Sequence, residues 1–353
     1  MTLNGIAALF PIDSEPVSSS PLGNGHINET YLITCASGSK YVLQKINRRI
    51  FTDVDGLMRN IRIVTQYLNA LKPHSSLEFL SANDGRDYAA AGDGYYRMYR
   101  YVYGISLETA RTPAELETCG KAFGEFQTQL ADFDAEQLTE TIPRFHDTVK
   151  RLHDLERAAS QDEAGRFKQV EREFRFYMQR QDEAGVMLGL LAEGRLKKRV
   201  THNDTKLNNV LLDEKTLTPL CVIDLDTVMP GLPGNDFGDC IRTGASTAAE
   251  DEPDLDKVWL DLEKYRAFAR GFLSECGRSL NKDELSTLTL GAKLMTYECG
   301  MRFLTDYLNG DTYFRTAYPE HNLVRCRTQM KLISDTEAHM SELNKLVAEE
   351  AER

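Results

Sequence analysis

Two hydrophobic rhythms divide this chain. In the first part, apolar residues come in short runs broken by turn formers. Tyr31 to Thr34 reads as a strand, Ser37-Gly38-Ser39 as a turn and Lys40 to Ile46 as a further strand. With the segment before Gly23, the order is strand, glycine turn, strand, turn, strand, the opening of a small antiparallel sheet. Residues 1–20 contribute a short helix and a Pro/Ser-rich approach. Leu57, Ile61, Val64 and Leu68 recur at helical spacing and predict a helix over 53–71. Tyr95 to Val102 alternates aromatic or apolar with basic residues, which suits a strand leaving the sheet for a linker at Tyr103-Gly104.

Beyond that point helical periodicity takes over. Thr112-Pro113-Ala114-Glu115 is a capping box with proline at the first helical position, and Leu116, Cys119, Phe123, Phe126 and Leu130 mark one face of the helix it opens. Residues 145–190 are charged and helical; His146 and His153 lie there without ligand-like partners, so surface or packing roles are expected. Helices are also expected over 256–275, 283–309 (ended by Gly310) and 325–350. In the second of these, Leu285, Leu288, Ala292, Met295 and Cys299 form an apolar stripe that runs on to Arg302 and Asp306. That i, i+4 pair fits either a polar substrate pocket or an intrahelical ion pair at the rim. The expected architecture is α+β and two-lobed, with a sheet lobe over 1–103 and a mostly helical lobe over 104–353.

One stretch in the helical part breaks the rhythm. Val200 to Asp213 holds His202, Asn203, Asp204, Lys206 and Asn209 in a tight loop, and a second apolar run, Cys221-Val222-Ile223, ends in Asp224-Leu225-Asp226. Asp204 and Asn209 have the spacing of the kinase catalytic loop H-x-D-x-x-x-x-N, and Asp224 stands where a metal-binding carboxylate is expected. Phosphoryl transfer uses such a set: one carboxylate orients the attacking hydroxyl, while an amide oxygen and another carboxylate hold Mg²⁺ on the phosphates. A polar turn between two strands is the plainer alternative. Asp236-Phe237-Gly238-Asp239 spells the kinase D-F-G motif but lies too far along the chain. Asp236 is expected to cap the next helix, after a loop over 229–234, and to brace the catalytic loop.

Composition adds exclusions. At 353 residues, with 41% hydrophobic and 27% charged positions, the chain suits a soluble protein of two lobes. No apolar run approaches a membrane span, and Met1 to Phe10 lacks the basic start of a signal peptide. The seven cysteines are scattered without a C-x-x-C pair, which disfavours zinc and a disulfide framework and favours a reducing cytoplasm. A net charge of −12 argues against nucleic acid or an anionic membrane as partner. ATP stays compatible, because Mg²⁺, backbone N–H groups and a few lysines can meet phosphates. Pro21 to Asn28 could form a glycine turn over those phosphates, although an ordinary hairpin explains it equally.

The sheet lobe, hinge, helical lobe and H-x-D-x4-N together resemble the aminoglycoside phosphotransferase and choline kinase superfamily, with its protein-kinase-like fold. Longer strings are similar to the N-acetylhexosamine 1-kinase family: Gly25 to Asn28, Val200 to Asn209, Ile223 to Thr227, Asp236 to Asp239, Glu298 to Leu304 and Tyr318 to Arg325. That resemblance implies transfer of the ATP γ-phosphate to the C1 hydroxyl of N-acetylglucosamine or N-acetylgalactosamine. It implies Asp204 as base on the sugar hydroxyl, Lys206 near the γ-phosphate and Asn209 and Asp224 as Mg²⁺ ligands. Asp226 would assist the metal through water. Gly23, Asn24, Gly25, His26 and Asn28 would cover the phosphates, and Arg100, Tyr101 and Val102 would offer backbone groups to adenine. On the pocket reading of the helical stripe, Arg302 and Asp306 are the candidates to face the sugar. No protein partner is implied. One departure stands out. Strand alternation puts Val42 and Gln44 on the site-facing side, so an amide occupies the place of the kinase lysine. No acidic partner is evident within the 53–71 helix except at its start. Two other readings remain: a kinase of the same fold for choline, an aminoglycoside or another sugar, and a non-catalytic nucleotide-binding module.

Overall fold

A computed structural model describes residues 1–23 and 27–353. Asn24, Gly25 and His26, three of the expected phosphate-covering residues, lie outside the described residues. The chain divides into two compact units. The smaller comprises Met1–Ile105, Asp134–Pro143 and Leu211–Pro230; the larger comprises Ser106–Phe133, Arg144–Val210 and Gly231–Arg353. The first stretch of the small unit ends two residues past the expected lobe boundary at 103, and two later segments join it.

The small unit opens with α1 (Leu3–Ala7), β1 (Pro16–Pro21), β2 (Glu29–Cys35) and β3 (Lys40–Lys45), followed by α2 (Val54–Leu71), β4 (Phe79–Leu80), β5 (Ala89–Ala91) and β6 (Gly94–Arg100). The sheet order is β1-β2-β3-β6-β4, with β5 also on β6, and these pairings are antiparallel. Alternation sorts its two faces. Tyr41 and Leu43 of β3 and Tyr96 and Met98 of β6 join Ile6, Ala7 and Phe10 in one apolar core. Val42 and Gln44 face the other way, and the register sets Gln44 opposite Arg97 and Val42 opposite Tyr99. Helix α2 follows its expected span, with Asp53 as N-cap and Leu57, Ile61, Val64 and Leu68 buried.

The large unit contains α3 (Pro113–Gln129), α4 (Thr148–Gln161), α5 (Glu171–Met178), α6 (Val186–Ala192) and β7 (Arg199–Thr201). After β8 (Val210–Leu212), β9 (Pro219–Val222) and β10 (Met229–Gly231), it resumes with α7 (Pro233–Gly244), α8 (Leu262–Cys276), α9 (Lys282–Ser286), α10 (Leu288–Leu308) and α11 (His321–Ala351). The capping box on Thr112 and Glu115 forms as expected. Helix α3 packs along α8, and α10 is the central helix, against α4, α7 and α11. Buried on nearly every side, α10 crosses α7 so closely that a Cβ on Gly238 would stand 2.4 Å from the Gly291 carbonyl oxygen.

Several expectations change. Met229 to Gly234 is not a loop: Met229–Gly231 is a strand and Pro233 opens α7. The helix expected from 256 starts at Leu262, because the chain before it bridges back: Leu260 pairs with Ser246 and the Asp261 N–H donates to Ala245 O at 2.8 Å. Asp261 then caps α8. The helix expected over 283–309 is two helices. Thr287 Oγ1 donates to the Asp283 and Glu284 carbonyls and closes α9 before α10 begins. Gly310 has φ 86° and follows the C-cap Asn309.

Candidate active site

In the large unit, β7 delivers His202 into a loop built by buried polar contacts. The Asp236 carboxylate accepts from the backbone N–H groups of His202 (2.9 Å) and Asn203 (2.7 Å) and from Gln127 Nε2 (2.7 Å). Its carboxyl is pushed up by burial, against the pull of these donors. Asp236 therefore braces the loop as expected, but it lies within the first turn of α7; the N-cap is Leu232. Asn203 takes a left-handed backbone, φ 63°, a conformation that asparagine tolerates better than most residues. His202 packs edge-on to Phe123 and Phe126, and its Nδ1 accepts the Asp204 N–H at 3.3 Å.

That frame presents Asp204, Lys206 and Asn209 together. Lys206 Nζ lies 2.6 Å from Asp204 Oδ1, and Asn209 Nδ2 donates to the Asp204 carbonyl (2.8 Å) and to Oδ2 (3.3 Å). Burial opposes ionisation of Asp204, but the Lys206 ammonium outweighs it and holds the carboxyl below its ordinary range; Lys206 is correspondingly raised. Asn209 spends its amide nitrogen on Asp204, which leaves its oxygen as the end suited to a hard cation.

Sequence reasoning missed a second brace. His146 Nε2 lies 2.9 Å from the Asn203 carbonyl, which can only accept, so this nitrogen carries a proton. Its Nδ1 faces Glu298 Oε2 at 3.2 Å. A neutral ring would then turn a lone pair toward a carboxylate. Burial works against the charge on His146, yet Glu298 outweighs it and raises the pKa. Glu298 also accepts Thr148 Oγ1 at 2.5 Å. No local pattern around His146 announces a partner so distant in the chain.

Near the loop, buried Arg242 pairs with Asp239 (3.0 Å) and Glu250 (2.7 Å), and its charge also favours ionised Asp204. One turn beyond Glu298 on α10, Arg302 lies over the rings of Tyr313 (5.6 Å) and Phe314 (5.3 Å). The intrahelical ion pair of Arg302 with Asp306, one of the two readings of their spacing, does not form. Asp306 accepts the N–H groups of Thr312, Tyr313 and Phe314 and Asn322 Nδ2, at 2.7–2.9 Å. Four donors occupy the four lone-pair directions of a carboxylate, so Asp306 shapes the turn after α10 rather than a sugar pocket.

The small unit carries the other carboxylates. Asp224 is exposed and left-handed, φ 57°, and its oxygens suit Mg²⁺. Asp226 is 4% exposed and forms a buried ion pair with Arg97 on β6. The expected water-mediated role of Asp226 is thereby replaced by a structural one. Gln44 is also recast: its Oε1 accepts Arg97 Nε (2.9 Å) and its Nε2 donates to Thr30 (3.1 Å). Helix α2 buries Asn60. Its Nδ2 donates to the carbonyls of Thr139 (2.8 Å) and Val228 (3.1 Å), and its Oδ1 accepts the Thr139 N–H (2.9 Å). Burial drives the Tyr99 phenol far above its ordinary range. Val42 is buried, Gly23 is exposed with φ 70°, and Asn28 is buried. Of the expected adenine segment, the Arg100 N–H donates to Glu78 O and the Tyr101 N–H to Lys40 O. Both donors are spent on the sheet, and Val102 remains. Among the described residues no three His, Cys, Asp or Glu side chains gather as a metal cluster, and no helix is long and apolar enough to cross a membrane.

Solved structures share this fold. An aminoglycoside phosphotransferase from Alicyclobacillus acidocaldarius aligns with 99% of this chain and 97% of its own at 13% identity and TM-score 0.65. An amicoumacin kinase, solved with AMP-PNP and Ca²⁺, aligns over 92% and 91% at 19% identity and TM-score 0.62. An ethanolamine kinase from Plasmodium vivax aligns over 88% and 82% at 15% identity and TM-score 0.59. The fold is thus protein-kinase-like, with an antiparallel-sheet lobe and a helical lobe. The model of the phosphotransferase enzyme family matches residues 18–272, and the chain belongs to that family.

Proposed function

We propose that this phosphotransferase is an ATP-dependent anomeric kinase of N-acetylhexosamines, working in the cytoplasm on a free sugar and needing no protein partner. The observation that carries the phosphoryl-transfer reading is Asp204, kept ionised by Lys206 on a loop fixed by Asp236 and His146. A carboxylate so held is suited to orient a hydroxyl for in-line attack. The C1 oxygen bonds to the γ-phosphorus, the bond to the β-phosphate oxygen breaks, ADP leaves, and the hydroxyl proton passes to Asp204. Lys206 offers its ammonium to the γ-phosphate. Mg²⁺, for which Asn209 and Asp224 are the proposed ligands, would neutralise phosphate charge. The AMP-PNP and Ca²⁺ of the amicoumacin kinase support the use of ATP with a divalent ion.

Gly23 to Asn28 as phosphate cover, Val42 beside adenine and the Val102 backbone as its anchor belong to the same proposal. The sugar assignment is supported by the long strings shared with N-acetylhexosamine 1-kinases, one of which runs through Glu298 and Arg302. The proposed role of Arg302 is to meet sugar oxygens from its seat on Tyr313 and Phe314.

The test is ATP consumption against N-acetylglucosamine, N-acetylgalactosamine, glucose, choline and kanamycin, with phosphorus NMR of the product. Turnover of the N-acetylated sugars to 1-phosphates is expected. Turnover of choline or kanamycin alone would keep the roles around Asp204 and overturn the sugar.

A further inference from the structure

Position 44, where the kinase lysine is expected, holds an amide, yet the small unit does bury a cation nearby. Arg97 is 1% exposed. Its Nε is fixed by Gln44 Oε1, its Nη1 meets Asp226 Oδ1, and its guanidinium carbon lies 5.8 Å from the Phe79 ring centroid. The other Asp226 oxygen, Oδ2, accepts Asn28 Nδ2 at 2.6 Å, and Asn28 Oδ1 accepts the Asn47 N–H at 3.0 Å. One carboxylate therefore joins the middle of the sheet, Asn28 just ahead of β2, and the turn that carries Asp224.

Burying an ion pair is rarely the most stabilising use of a site, because desolvation offsets much of the attraction. Geometry suggests what this pair secures. Asp224 sits two residues before Asp226 in a left-handed backbone, which aspartate tolerates better than most L-residues but at some cost that the surrounding contacts offset. Thr141 Oγ1, 3.4 Å from the Asp226 carbonyl, and Asn60, on the Val228 carbonyl, secure the turn's backbone; Arg97 secures its side chain. A lysine would meet Gln44 and Asp226 from one point charge, without the spaced, planar donors by which the guanidinium holds both in one fixed geometry.

We propose that Arg97 is a positioning residue for magnesium–nucleotide binding: through Asp226 it fixes the Asp224 turn and, by the same carboxylate, Asn28 ahead of β2. This rests on the reading of Asp224 as a Mg²⁺ ligand. Arg97 takes over the structural duty of the absent lysine pair without touching the transferred phosphate.

Calorimetric titration of the full chain with AMP-PNP, in Mg²⁺ and in EDTA, tests it. Arg97→Lys is expected to lower the Mg²⁺-dependent gain in affinity by about 10- to 100-fold, as loss of a residue supporting a metal ligand does, and to leave affinity in EDTA unchanged. Asp224→Asn, the control, should lose the gain altogether. A wild-type gain in Arg97→Lys beside a lost gain in Asp224→Asn would overturn the role of Arg97. Equal losses with and without Mg²⁺ in Arg97→Lys would overturn it too, marking general damage. A full gain in Asp224→Asn would remove the metal reading and the inference with it. If Arg97→Lys does not fold, Asp226→Asn breaks the same pair from the other side; the same selective loss is expected, and an unchanged gain overturns the proposal.

Discussion

The Asp204 loop and the Asp224 turn solve one problem in opposite ways. Each holds a carboxylate of the proposed site beside or on a left-handed residue, Asn203 in one and Asp224 in the other. Around Asp204 the brace is a buried anion, Asp236, gripping backbone N–H groups, with His146 on the Asn203 carbonyl. Around Asp224 the brace is a side-chain ion pair, Arg97 with Asp226. The first grips the chain itself. The second grips a neighbouring residue and leaves Asp224 exposed. The contrast fits the roles proposed above: a base has to keep a fixed direction relative to one hydroxyl, whereas a metal ligand has to stay accessible to an ion that arrives with nucleotide.

The largest way to break this comparison is at the base. Asp204→Asn should lower turnover about 10³-fold or more while AMP-PNP affinity persists. Steady-state kinetics beside calorimetry checks both halves, and wild-type-like turnover would remove Asp204 from the chemistry. Next is the backbone grip. Asp236→Ala strands the His202 and Asn203 N–H groups and Gln127, at a cost of about 3 kcal/mol in a urea unfolding midpoint analysis. A loss below about 0.5 kcal/mol, the scale of ordinary surface substitutions, would show that the loop holds itself.

The His146 brace titrates. Its pKa is raised above the ordinary 6.5 by Glu298, so its contribution is complete below about pH 6.5 and fades as pH rises through the raised value. The difference in Tm between wild type and His146→Gln should therefore be widest in acid and narrow toward alkaline pH. A difference constant across pH would mean that His146 braces the loop as a neutral ring. The smallest effect is expected at the adenine segment. The Arg100 side chain pairs with half-exposed Glu78, and Arg100→Ala should change the KM for ATP by less than about 0.5 kcal/mol equivalent. A larger change would bring that side chain into nucleotide binding.

Local chemistry was legible in the sequence; remote partnership was not. The loop from His202 to Asn209 is read from adjacent residues, and the structure brings Asp204, Lys206 and Asn209 together. The Thr112 capping box and the faces of β3 follow from spacing alone. Arg97 looked like one basic residue in an alternating strand, because its partner Asp226 belongs to a distant segment. Asn28 and Asp226 stand 198 positions apart. His146 was legible only as a histidine without neighbours. Arg302 and Asp306 misled for the converse reason: helical spacing invites a pair, but the turn at 312–314 offered Asp306 three backbone donors. The break at Thr287 was hidden because apolar residues continue across it.

Asn60 carries one more consequence. It seats α2 on the chain at Thr139 and Val228 through hydrogen bonds between neutral groups. An acidic residue there would loosen or tighten with protonation, with ionic strength, or with a competing phosphoryl group nearby. A carboxamide answers to none of these. This point of attachment is indifferent to acidity and salt, so whatever response α2 makes to them has to enter through its outer face, where Arg62 pairs with Asp87.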